Sequence, residues 1–430
     1  MNAMKRLLAA ALALALGAAL LSGCGSKGDG SASSSAASSS SSSSQASQVE
    51  AMDLSTVTDP YLATLGLAGD TVVATVGEYE ITAAELAYWL NYNIVYILQQ
   101  YSMMGMSEID WEGEMSDGST QEESLLQSAL RLAASYRLMS EIGAQEGLTI
   151  PQETMDSLES DLVSLKEQIG DETVEEHYYW LNMMTPELFR ELYLSAEMGN
   201  LLQEKYFGEG SEGYPTDAEV LTYAQEELGV YRAKHILLKT VDTTKTVEKE
   251  DGTTGYEPLD AAVIEEKKAQ AEELLAQLRS SDDPVTLFDT LMKENSEDEG
   301  LESNPDGYTT YKGQMVSAFE DTALALKDGE ISDVVESEYG YHIILRLPLD
   351  PADYRSQLVA VKMGEQREAW LEEYGVETND DFAKVDPSDF WDKAQSLQMG
   401  AYEEIQALQT QTQGAASSSG STSASGSDET

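Results

Sequence analysis

Tyr231-Arg232-Ala233-Lys234-His235-Ile236-Leu237-Leu238-Lys239 reads as a strand rich in apolar residues, and Tyr341-His342-Ile343-Ile344-Leu345-Arg346-Leu347 reads as a second. Between them the sequence predicts a polar loop over Thr240 to Glu257 and a charged helix over Leu259 to Ser280. A second helix over Val285 to Glu294, a long Gly- and Asp-containing loop over Asn295 to Gly313 and a short helix over Phe319 to Leu326 follow. Strand, helices, strand is an α+β unit whose outer strands pair only across the whole module. If they pair, His235 and His342 become neighbours, and one imidazole can donate to the other and fix its tautomer. Such a pair either acts on a substrate or holds a site in shape.

Upstream, Val72 to Val76 is a short β-branched run, Gly77 to Glu80 a turn, and Thr82 with Glu85 a capping box opening a helix through about Gln100. Gln121 to Glu146, Pro151 to Ile169, Glu172 to Asn182 and Pro186 to Phe207 read as amphipathic helices. In the first of these, Leu126, Leu130, Ala133 and Leu138 form a core stripe. His177, among Glu175, Glu176, Tyr178 and Tyr179, is expected at a surface or rim. A second capping box, Thr216 with Glu219, starts a helix to about Leu228 that Gly229 ends. Ala352 to Gln413 returns to helix, including Leu358 to Tyr374 and Pro387 to Thr410.

Composition narrows the chemistry. The 430 residues are 41% hydrophobic, enough for two or three cored domains. Against 25 Lys and Arg stand 78 Asp and Glu, a net charge of -53, which disfavours binding to nucleic acid. One cysteine excludes a disulfide framework and a cysteine-built zinc site, and three histidines leave little for a histidine-rich metal centre. Glu302, Asn304, Asp306 and Gly307 imitate the start of a calcium loop, but its twelfth position is Gly313 rather than a bidentate Glu. No Gly-x-Ser-x-Gly and no His-Glu-x-x-His occurs. The expectation is a protein with no metal and no cofactor.

Lys5 and Arg6, the apolar run Leu7 to Leu20, and Leu21-Ser22-Gly23-Cys24 read as a secretory signal over residues 1–23. The last four residues resemble the bacterial lipobox, in which the cysteine receives a diacylglyceryl group and becomes the new N-terminus. Cys24 is then the lipidation site, and the lipid ties the protein to the outer face of a membrane. An ordinary signal with a chance cysteine is the alternative. Ser26 to Gln48 and Gly414 to Thr430 are too poor in apolar residues to offset their ordering entropy, and read as a tether and a tail.

Four motifs in order, Ala233-Lys234-His235-Ile236-Leu237-Leu238, Gly313-Gln314-Met315 with Phe319-Glu320-Asp321, Gly329-Glu330-Ile331-Ser332, and Gly340-Tyr341-His342-Ile343-Ile344, resemble a parvulin-type peptidyl-prolyl isomerase over about Gly229 to Leu349. Val73-Ala74-Thr75-Val76-Gly77 through Ile81-Thr82-Ala83-Ala84-Glu85 is similar to the N-terminal chaperone segment of PrsA-type and SurA-type foldases. With the lipobox, the chain resembles a PrsA-type extracellular foldase lipoprotein. The resemblance implies an α+β fold, with a parvulin domain of antiparallel sheet and flanking helices over 229–349. That domain is inserted in a mostly helical chaperone domain over 49–228 and 350–413, between a tether at 24–48 and a tail at 414–430. It implies unfolded secreted proteins and X-Pro peptides as partners and admits a homodimer. A holdase that has lost turnover is the competing reading, and an adhesin or solute-binding lipoprotein a third.

Turning an X-Pro amide crosses a barrier of roughly 18–20 kcal/mol because twisting breaks its resonance. A catalyst needs no nucleophile. It must grip the ring in an apolar pocket and keep water from the carbonyl that loses resonance. Met315 and Phe319, four apart where a loop enters a helix, can face one side as a soft apolar wall, or can simply be core. The family places them in the proline pocket, with Tyr308 as a third wall. Asp298 falls where parvulins carry Cys or Asp beside the amide, where its charge either opposes a negative carbonyl oxygen or favours twisting. The loop Asn304-Pro305-Asp306-Gly307-Tyr308 departs from the Gly-Gly-Asp-Leu-Gly pattern of the family. No basic cluster follows His235, since Lys239 leads into Thr240-Val241-Asp242, so a phosphorylated substrate is not expected.

Overall fold

The computed structural model describes residues 49–170, 172–248 and 252–419. The signal segment, Cys24, the tether and residues 420–430 lie outside them. The described chain divides into two units, one ending at Tyr214 and resuming at Val359, the other Pro215–Leu358.

In the first unit Asp59 caps α1 (Pro60–Leu65), its Oδ1 accepting from the Tyr61 and Leu62 N–H groups. β1 (Val72–Val76) turns through Gly77, at φ +59°, into antiparallel β2 (Tyr79–Thr82). The capping box forms: the Thr82 N–H donates to Glu85 Oε2 at 2.8 Å and the Glu85 N–H to Thr82 Oγ1 at 3.3 Å, starting α2 (Ala83–Met103). Helices α3 (Gln121–Gln145), α4 (Gln152–Ile169), α5 (Glu172–Trp180) and α6 (Pro186–Phe207) follow. Where α3 meets α6, a Cβ on Gly143 would lie 2.1 Å from Met198 Sδ, and one on Gly199 would lie 2.6 Å from Met139 Sδ. Each helix thus receives the other's methionine over a bare glycine.

The second unit begins with α7 (Asp217–Thr222), opened by the Thr216–Glu219 capping box and continued by a π turn over Tyr223–Glu227. Ala224 packs with Val230 and Leu349, joining this helical segment to the sheet within the unit. The polar loop expected after the first strand is instead a hairpin. β3 (Val230–Lys239) is followed by β4 (Val241–Glu248) and β5 (Thr254–Pro258), which pair antiparallel. Threonines and valines favour extended backbone there, but the hairpin buries almost nothing and so lacks an apolar alternation to read. Then come α8 (Ala261–Ser280), α9 (Pro284–Asn295), β6 (Tyr308–Tyr311), α10 (Ser317–Ala325), β7 (Val335–Glu336) and β8 (Gly340–Leu347). β6, too, lies in a stretch expected as loop; of its four residues only Thr310 is buried.

The strands form one antiparallel sheet in the order β6-β3-β8-β7. Successive residues of β3 face opposite sides. Ile236 and Leu238 pack with Leu274, Leu278, Phe288 and Met292 of α8 and α9. Tyr231 and Ala233 pack with Phe319 and Ala323 of α10. His235, of the same parity as Tyr231 and Ala233, therefore lies on the α10 side.

The chain returns to the first unit along α11 (Ala352–Tyr374) and adds β9 (Val376–Thr378), a strand too short to show in the sequence. β9 pairs with β1, Ala74 opposite Thr378 and Val76 opposite Val376, so the small sheet is built from both arms of the unit. α12 (Pro387–Ser419) packs on α5 and takes in 414–419, the first residues of the stretch expected as a tail. This packing corrects the expectation for His177. It is buried, with Nδ1 2.7 Å from Glu404 Oε2 and its ring 4.6 Å from that of Trp180.

Candidate active site

A cavity of about 480 Å³ in the second unit is lined by His235, Asp298, Tyr308, Met315, Phe319 and His342. All six side chains singled out in the folded sequence thus share one site. Cys24 lies outside the described residues.

Register explains the histidine pair. His235 stands opposite Ile344 and Leu237 opposite His342, so the two imidazoles sit diagonally across β3 and β8 on one face. Their rings stack at 5.1 Å, with Nδ1 to Nδ1 2.9 Å. Asp298 arrives because the chain after α9 is laced along β3. The Glu297 N–H donates to the Leu237 carbonyl at 2.7 Å, and the Leu237 N–H donates to Ser296 Oγ at 3.1 Å. Asp298 Oδ2 is then 3.1 Å from His235 Nε2 and 2.6 Å from the Tyr308 hydroxyl, while Oδ1 accepts the Gly300 N–H at 3.0 Å.

Burial pushes the Asp298 carboxyl up. The hydrogen bonds from His235 and Tyr308, the His235 charge and the Gly300 N–H together outweigh it and take the group down to about 2. Burial pushes the Tyr308 phenol well above its ordinary range, and the Asp298 carboxylate adds to this. Burial likewise holds His342 down to about 3; His235 adds to the fall and Asp298 opposes it.

These states orient the protons. An ionised carboxylate only accepts, so His235 Nε2–H and the Tyr308 O–H both donate to Asp298. With His235 neutral, its Nδ1 accepts, and His342 Nδ1–H is the donor. His342 Nε2 must then accept, and the Ser337 hydroxyl 2.7 Å away supplies the proton while its own oxygen receives the Tyr339 N–H at 3.1 Å. In that state one directed chain runs Ser337, His342, His235, Asp298; when His235 carries its charge, its Nδ1–H donates to His342, whose Nε2–H then donates to Ser337. Both nitrogens of both rings have partners.

Two members went unnoticed in the sequence. Ser337 gives no signal there beyond lying five residues before His342. Gly300 is needed for space, since a Cβ would lie 2.1 Å from the Tyr308 oxygen. Gly307, at φ +93°, delivers Tyr308 into the site despite the departure of loop 304–308 from the family pattern.

Met315, Val316 and Phe319 give the cavity an apolar wall. Phe319 is also core, packed with Tyr231, Ala233 and Ile344, and its ring lies 5.1 Å from His235 and 5.9 Å from His342. The unexpected hairpin also lines the cavity, contributing Thr243, Thr244 and Tyr256, with the Tyr256 ring 5.7 Å from that of Tyr339. The one cation lining the cavity, Lys239, has its Nζ 2.5 Å from Glu299. Among the described residues no cluster of His, Cys, Asp and Glu has the arrangement to hold a metal.

Residues 235–347 match the PPIC-type peptidyl-prolyl isomerase domain, or rotamase. This stretch is a parvulin domain. The chain is similar to the foldase protein PrsA of Halalkalibacterium halodurans, 32% identical over 47% of this chain and 52% of that protein. It is also similar to PrsA of Geobacillus kaustophilus, 38% identical over 25% of this chain and 40% of that one. The matched stretch spans about half or less of these relatives' own length. A crystal structure of PrsA from Bacillus subtilis aligns with 62% of this chain and 90% of that one at 21% identity, with a TM-score of 0.21. No helix of the described residues is long and apolar enough to cross a membrane.

Proposed function

We propose that the chain is an extracytoplasmic foldase, tethered through a lipid on Cys24, whose parvulin domain turns X-Pro bonds in unfolded secreted proteins. The observation that carries this reading is the seating of Met315 and Phe319 beside the directed chain that ends on Asp298. A proline ring against the apolar wall puts the preceding amide over the polar layer, where water is excluded and the twisted amide is held.

Because every imidazole nitrogen is already bonded, His235 and His342 act by holding the site in shape. No proton transfer is required of them. Asp298, held ionised, repels negative charge on the carbonyl oxygen and so favours the twisted amide, in which conjugation no longer places charge there. The acidic surface favours neutral or basic clients.

The test is exchange of an Ala-Pro peptide followed by NMR with the full chain. Turnover well above the uncatalysed rate, lost in Met315→Ala while the fold persists, is the expected result. A folded chain without turnover would make the domain a client-binding module. Labelling with a fatty acid checks the anchor, and label that persists in Cys24→Ala would overturn it.

A further inference from the structure

α2 ends at Met103, and the residues there are not covered. Met103, Met104, Met106 and Tyr96 are 70%, 64%, 46% and 49% exposed, and Val95 and Met115 are exposed as well. Tyr96 and Met103, seven apart, lie on one face of the helix. The connection to α3 is folded back rather than loose. The Gln121 N–H donates to the Gly113 carbonyl and the Glu122 N–H to that of Trp111, and Ile109 and Trp111 pack on the core. The Tyr101 hydroxyl reaches Gln121 Oε1 at 3.2 Å, and Glu114 bridges to Thr120 beside Met115. Met115 is thereby brought back to the end of α2 that carries the other three.

Around these methionines stand Glu108, Asp110, Glu112, Glu114 and Asp117, all exposed. None has a Lys or Arg partner among the described residues, and residues 28–130 contain no Lys or Arg at all. Their field is felt nearby. Burial, then Asp386, pushes the Glu122 carboxyl up, and Glu112 adds to it.

Unbranched thioethers repack around apolar groups of many shapes, and an exposed apolar patch of this kind marks an interaction surface. A rim of uncompensated carboxylates admits cationic partners and turns away anionic ones. A second copy of this chain would bring the same carboxylates against themselves, and an anionic lipid surface would be repelled. We propose that the methionine surface between α2 and α3 binds apolar segments flanked by Lys or Arg in unfolded chains, as a client site separate from the parvulin cavity. The proposal deepens the foldase reading but needs no turnover.

The probe is a fluorescent, proline-free peptide of alternating Leu and Lys, compared with its Leu and Glu counterpart, titrated with the full chain. The expected result is binding of the Lys peptide, at least tenfold weaker in Met103→Gln/Met104→Gln/Met106→Gln. In Glu108→Gln/Asp110→Asn/Glu112→Gln/Glu114→Gln the preference for Lys over Glu should shrink and the salt dependence with it. Methyl-labelled methionine in the unmutated chain gives a measurement free of folding effects, since the Met103, Met104, Met106 and Met115 resonances should move with the Lys peptide. Equal binding of both peptides, undiminished binding by the methionine variant, or unmoved methyl signals would overturn the proposal. So would sedimentation showing that the methionine variant splits an oligomer. Exchange of the Ala-Pro peptide, run beside it, should be unchanged in both variants. Its absence from the unmutated chain, with the Lys peptide still bound, would count against the isomerase reading alone.

Discussion

Asp298 is an ionised carboxylate whose two oxygens accept from His235, Tyr308 and the Gly300 backbone, and removing any donor should be felt at the others. Tyr308→Phe is expected to raise the Asp298 pKa, read by carboxyl NMR titration, and to lower isomerase turnover. An unmoved Asp298 titration would show the phenol contributes nothing. Acid acts on two members of the hydrogen-bonded chain, His342 and Asp298, in different windows. His342 binds its proton at about 3 when folded, against an ordinary 6.5, so the unfolded chain holds more protons between those values and stability falls as pH drops from 6.5 toward 3. Asp298 binds at about 2, against 3.8, so its contribution is present above 3.8 and is lost as pH falls through 2. One such group gives a slope of up to about 1.4 kcal/mol per pH unit. Guanidinium unfolding of the parvulin unit at pH 7, 6 and 5 should show that slope, and His342→Gln should flatten it. The pair was legible from His235 and His342 once their strands were assumed to meet. The extension of the pair to Ser337 was not, because the closeness of Ser337 to His342 comes only from the turn before β8.

Among elements, the hairpin β4–β5 was the largest departure from the sequence reading. Strands were found where one face is buried, as in Ile236, Leu238, Ile343 and Leu345, and missed where neither is. The long helices were legible throughout, their capping boxes at Thr82 and Thr216 marking true starts. Replacing 242–257 by a short turn should leave the sheet intact and reduce kcat/KM, since Thr243, Thr244 and Tyr256 line the cavity. Unchanged kinetics would assign the hairpin no part in binding. Phe319 answers the choice between pocket and core by being both, so Phe319→Ala should cost about 3–5 kcal/mol of stability beside any loss of activity. Met315, half-buried, is the cleaner probe. In the first unit Gly143→Val should destabilise by about 1–3 kcal/mol through overpacking against Met198, measured by thermal unfolding.

At the scale of the whole molecule, all five tryptophans, Trp89, Trp111, Trp180, Trp370 and Trp391, belong to the unit made of the two arms, and Pro215–Leu358 has none. If the two units unfold separately, tryptophan fluorescence should follow one transition and far-UV circular dichroism two. Coincident curves would make them a single cooperative block. The pairing of β1 with β9 also sets an order of events during synthesis. Val73 and Val76 are made early, but the strand that covers their edge is not made until residue 376 has been reached. At about 5–20 residues per second the intervening chain takes about 15 to 60 seconds, long enough for the parvulin unit to finish folding first. Until then β1 offers an unpaired edge to any extended chain nearby. The chain is therefore, during its own birth, briefly in the condition of the unfolded clients proposed for it.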